Sequence, residues 1–137
     1  MTNRGNVLRL LASLALIAAS PLSAKPLTVR IGETWSFTIV HGHPAKAHKV
    51  DARTAPASGE LKVSLSALMG TTMTVTNNSR FDYAYRATLL LPNGKTGPAK
   101  SCAVPANGRL AIEHWPQKVS AIRLSNFMPA PAGSLCP

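Results

Sequence analysis

From Leu27 onward, apolar and polar positions alternate. Leu27, Val29 and Ile31 are interleaved with Thr28 and Arg30; beyond Gly32-Glu33, Trp35, Phe37 and Ile39 are interleaved with Ser36 and Thr38. A period of two marks a strand with one buried face. The pattern returns in Leu61, Val63 and Leu65 against Lys62 and Ser64, and in Met73 and Val75 against Thr72, Thr74 and Thr76. Asn77-Asn78-Ser79 signals a turn, after which Phe81, Tyr83, Tyr85 and Ala87 share one face of a strand reaching Leu91 and stopped by Pro92-Asn93-Gly94. Further strands are expected around Cys102 to Val104, over Leu110 to Ile112 and from Val119 to Phe127.

Seven or eight short strands at roughly 8–12-residue spacing, with no sustained helical periodicity among them, predict an all-β domain. The expected form is an antiparallel, immunoglobulin-like β-sandwich, with a small β-barrel as the alternative. The likeness is architectural. Immunoglobulin domains pin a Trp against two Cys far apart in sequence, whereas Cys102, Trp115 and Cys136 all fall in the last third of this chain.

The first 24 of the 137 residues read differently. Arg4 and Arg9 precede the apolar run Leu10 to Ala19, and Ser20-Pro21-Leu22-Ser23-Ala24 provides a small-residue exit. That order is a helical secretory signal peptide, cut after Ala24, with residues 25–137 forming one β domain. The apolar run is about half the roughly 20 residues needed to span a bilayer, so no transmembrane segment is expected in the mature chain. The expected location is periplasmic or secreted.

Charge sharpens this picture. With Arg4 and Arg9 removed from the 15 basic residues, 13 face 5 acidic ones, a net +8. Such an excess attracts anions over a range that salt limits to about 10 Å. Export removes nucleic acid as a partner and leaves an anionic envelope polymer or an acidic protein. The two cysteines, Cys102 and Cys136, are expected to form one disulfide, which an exported domain can keep.

Catalytic chemistry finds little purchase. Glu33, Asp51, Glu60, Asp82 and Glu113 lie in five separate segments, and no nucleophile elbow or zincin pattern occurs. Gly94-Lys95-Thr96 has the ending of a phosphate-binding loop, but Leu89 stands where that loop needs glycine, so a hairpin turn is expected. No enzyme activity and no cofactor are expected. Met69 and Met73 are expected in the core, and Phe81, Tyr83 and Tyr85 on the inner wall of the sandwich. Asn77-Asn78-Ser79 also fits the glycosylation acceptor pattern.

One segment concentrates binding chemistry. His41, His43, Lys46, His48, Lys49 and Arg53 are opposed only by Asp51, and Gly42 and Pro44 suggest a loop. The expectation is a docking patch for an anionic envelope component or acidic protein. The rival is a copper or zinc carrier using His41, His43 and His48, whose imidazoles suit either metal. The nearby Lys46, Lys49 and Arg53 oppose that rival by repelling a cation.

Overall fold

The computed structural model describes residues 25–131 and Cys136. The expected leader lies outside the described residues. Among the described residues nine strands follow in chain order: β1 (Leu27–Arg30), β2 (Thr34–Val40), β3 (His43–Lys49), β4 (Leu61–Ser66), β5 (Thr71–Asn77), β6 (Tyr83–Leu90), β7 (Thr96–Ala99), β8 (Arg109–Trp115) and β9 (Ala121–Pro129). They form two antiparallel sheets, one ordered β1-β9-β6-β7 and the other β3-β2-β4-β5-β8. We call these the four-stranded and five-stranded sheets.

Alternation decides which side chains meet between them. Leu27, Val29, Ala87, Leu89, Ile122, Leu124 and Phe127 come from the four-stranded sheet; Phe37, Leu61, Val63, Leu65, Met73, Val75 and Trp115 come from the five-stranded one. Phe127 is the hinge of this core. Its ring lies 5.5 Å from Phe37 edge-on and 5.3 Å from Tyr85 stacked, so one aromatic side chain contacts both sheets.

Several local expectations change. Segment 43–49, expected as a loop because of Pro44, is a strand on the rim of its sheet. Proline is tolerated there because a rim strand has donors that no neighbour needs. The His41-Gly42 turn has both residues at positive φ, 49° and 79°, the conformation that joins two antiparallel strands through a two-residue loop. Met73 is buried as expected, but Met69 is 84% exposed, because it forms the turn with Gly70 between β4 and β5. Gly70 is required there: a Cβ would lie 2.5 Å from the Trp115 carbonyl oxygen. Tyr83 and Tyr85 do pack against the core, while Phe81 precedes β6 and is exposed. Residues 102–104 contribute only an isolated bridge, Val104 to Tyr83. Gly94 and Lys95 sit in the β6–β7 hairpin, closed by the Leu91 N–H to the Lys95 carbonyl at 2.8 Å.

Candidate functional site

The five acidic side chains share one fate. Each carboxylate accepts a backbone N–H: Glu33 from Arg30 at 3.0 Å, Asp51 from Arg53 at 2.8 Å, Glu60 from Ala57 at 2.9 Å, Asp82 from Ala106 at 2.7 Å and Glu113 from Cys102 at 2.7 Å. Turns and irregular segments leave backbone donors without a ladder partner, and here carboxylates supply the acceptors. Glu33 is the most heavily used. The Trp35 indole N–H, the Arg30 N–H and Lys49 hold its pKa at about 2, below the ordinary 4.5.

The cations are not committed in the same way. Among the described residues, which include all 13 basic side chains of segment 25–137, only Lys49 and Arg109 come within ion-pair distance of a carboxylate. Lys62 spends its ammonium on the carbonyls of Ala52 and Thr54, at 2.8 and 2.9 Å. Most of the positive charge therefore faces water uncompensated.

Strand register gathers part of it. On the outer face of the four-stranded sheet, Arg123 of β9 lies between Thr28 of β1 and Thr88 of β6, while Arg30 pairs with Ala121 and Arg86 with Ser125. Arg30 and Arg86 are thus the two diagonal neighbours of Arg123, each with its Cα about 7–8 Å away. Thr28, Thr88 and Ser125 stand between them. None of the three guanidinium groups has a hydrogen-bond or ion-pair partner among the described residues, and no carboxylate occupies this face. Arginine presents a planar fork of donors that matches carboxylate, sulfate or phosphate oxygens.

Two shallow depressions extend this row. One, of ≈ 470 Å³, is lined by His41, His43, Arg86, Asn126 and Met128. The turn is docked there by its backbone: the Gly42 carbonyl accepts the Phe127 N–H at 2.9 Å, and a Cβ on Gly42 would meet the Phe127 carbonyl at 3.0 Å. The bulge in β9, with Asn126 at φ 53°, gives the turn its seat. The other depression, of ≈ 520 Å³, runs from Arg86 and Thr88 to Lys100 and Ser101. Arg86 lines both.

The sequence-derived patch is consequently split. His41 and His43 join Arg86. Lys46 occupies a bulge at φ 52°, and His48 lies opposite Ser36 with its Nδ1 2.9 Å from the Lys46 carbonyl. Lys49 is neutralised by Glu33 at 3.1 Å and sits 5.7 Å above the Trp35 ring. Arg53 is exposed in the following loop. For the metal triad, His43 lies opposite Val40 and His48 opposite Ser36, four residues apart on β2, which sets the two about 13 Å apart along the sheet. Among the described residues, no three His, Cys, Asp or Glu side chains are placed to hold a metal ion.

Arg30, Arg86 and Arg123 were missed at the sequence level. Each is the polar member of an alternating stretch, which announces an outward side chain. That β1, β9 and β6 are neighbours is a fact of topology. Cys102 and Cys136 are joined as a disulfide, and burial, with Glu113 nearby, pushes the Tyr85 phenol well above its ordinary pKa. Comparison with models of known protein families, with curated proteins and with solved structures finds no match for this chain.

Proposed function

We propose that this protein is an exported, non-catalytic binding module that docks on an anionic envelope polymer through the outer face of its four-stranded sheet. Arg30, Arg86 and Arg123 grip successive acidic groups, and His41, His43 and Lys100 flank them. The observation that carries the reading is the unequal use of charge: every acidic side chain is bonded to backbone, while three arginines line one acid-free face with no partner among the described residues. A row of cations at regular spacing suits a ligand with repeated charges better than a single small anion.

Export rests on the leader and is supported by the disulfide. Among the described residues no helix is long and apolar enough to cross a membrane. The immunoglobulin-like character is carried no further than two facing antiparallel sheets. An acidic protein partner would use the same arginines.

Dextran sulfate is a suitable probe, with binding measured over a range of salt concentrations. Each cation that displaces a condensed counterion adds somewhat less than one to the slope of log K against log salt. Replacing Arg30, Arg86 and Arg123 together by Gln is expected to lower that slope by about two to three. Replacing Lys46, Lys49 and Arg53 is expected to change it less, since Lys49 is already paired. An unchanged slope in the arginine variant, or a larger loss in the other, removes this face as the contact.

A further inference from the structure

The two sheets have four rim strands, and three of them are protected against pairing with another chain. β1 and β7 have four residues each, and β7 contains Pro98. β3 carries Pro44 and the Lys46 bulge. Short length, proline, lysine and bulges are the usual means of blunting an open edge. β8 has none of these four, and its two charged residues, Arg109 and Glu113, are of opposite sign and share its inward face.

β8 runs for seven residues, contains neither Pro nor Lys, and pairs with β5 in unbroken register from Thr71↔Trp115 to Asn77↔Arg109. Among the described residues, its backbone bonds to β5 and to no other segment. Its outward side chains include Leu110, 53% exposed, and Ile112, 63% exposed. A long, regular rim with an exposed apolar pair on its outer face is a template for a further strand.

The residue pattern selects the occupant. We propose that β8 pairs antiparallel with β8 of a second copy of this chain, in the register centred on Ala111. In that register Leu110 faces Ile112 of the other copy, twice by symmetry, on the outer face. Arg109, whose side chain is 61% exposed and reaches Asp82 only at 3.8 Å, faces Glu113, also twice, on the opposite face. Glu113 uses one oxygen for the Cys102 N–H, and its other oxygen has no partner among the described residues. Centring on Ile112 instead sets Leu110 against His114 and Ala111 against Glu113, losing both matches. Cross-strand apolar and opposite-charge pairs are what fix strand register.

The symmetry has a consequence. A two-fold axis relating antiparallel neighbours in one continuous sheet stands normal to it, so the two five-stranded sheets merge into one of ten strands. Both four-stranded sheets then lie on the same side. Their arginine rows point the same way and can engage one polymer or surface together, a gain in avidity that rests on the proposed docking. The dimer itself does not rest on it.

The test uses the mature chain with its native disulfide. Sedimentation equilibrium is expected to show a concentration-dependent dimer, and Ile112→Lys, at an exposed position that tolerates charge, is expected to raise its dissociation constant at least about tenfold. Register is read by cross-linking under mild oxidation. Ala111→Cys should give a disulfide-linked dimer; Leu110→Cys and Ile112→Cys should each do so poorly alone but efficiently when mixed. A monomer at all concentrations up to about 1 mM, an Ile112→Lys variant that dimerises as well as the parent, or cross-linking indifferent to position overturns the proposal.

Discussion

The indole N–H of Trp35 donates to Glu33 at 2.9 Å, and the other carboxylate oxygen of Glu33 holds Lys49 at 3.1 Å. Two residues apart in sequence, Glu33 and Trp35 thereby fasten the β1–β2 turn to the rim strand β3. The Arg30 N–H completes the set.

The consequence is a dependence of stability on pH. Glu33 has a folded pKa of about 2 against an ordinary value of 4.5. A depressed carboxylate pKa contributes stability that is present above the unfolded value and lost as pH falls through the folded one. The contribution of Glu33 is therefore whole above about pH 4.5 and disappears between there and about pH 2. Urea unfolding of the parent and of Glu33→Gln at pH 7, 4.5, 3 and 2 is expected to show a shallower acid decline in the variant. Parallel declines would mean that this carboxylate is not the linked group.

Asn77 closes β5 with a buried amide. Its Nδ2 donates to the carbonyls of Phe81 at 2.7 Å and Val104 at 3.2 Å, and its Oδ1 accepts the Ser79 N–H at 3.0 Å and the Ser79 hydroxyl at 2.7 Å. The side chain is 0% exposed. The tripeptide that resembles a glycosylation acceptor is thus a structural knot, and a glycan on Asn77 is incompatible with this fold. Asn77→Ala removes one of two donors from each of the Val104 and Phe81 carbonyls and the acceptor of the Ser79 N–H, and is expected to cost about 1–3 kcal/mol in chemical denaturation. A loss below about 0.5 kcal/mol would show that water replaces the amide at no cost.

The Cys102–Cys136 disulfide spans 34 residues and links the end of the chain to the segment that Glu113 secures. By the loop-entropy relation it stabilises the domain by about 4 kcal/mol. The Cys102→Ala, Cys136→Ala double variant is expected to lose that amount in denaturant titrations, and reductant should lower the parent to the same level. A parent insensitive to reductant and equal in stability to the double variant would contradict this.

The strand content was legible because a half-buried strand must alternate. Leu61 to Leu65 and Met73 to Val75 occupy the core as their pattern required. Met69 has the same chemistry as Met73 and ended exposed, because Gly70 next to it takes the left-handed conformation that turns the chain. β3 was hidden by Pro44 and Gly42, residues that normally interrupt a strand. Its place on the rim made proline harmless, and rim position is not written in local sequence.

The cationic site divides along the same line. His41 to Arg53 is conspicuous because its cations are close in sequence, yet Glu33 neutralises Lys49 and the length of β3 itself holds His48 away from His43. Arg30, Arg86 and Arg123 are scattered over 94 positions, counting both ends, and converge only because β1, β9 and β6 are neighbours.

Local chemistry alone determined the all-β class, the pairing of the only two cysteines and the sign of the surface charge, since each depends on residue type and short-range order. Which strands adjoin, which carboxylates cap which backbone donors, and which strands form the rims were decided by tertiary structure. The physical reason is that hydrogen-bonded strand pairing brings distant segments to within about 5 Å, and nothing in a one-dimensional pattern states which segments those are.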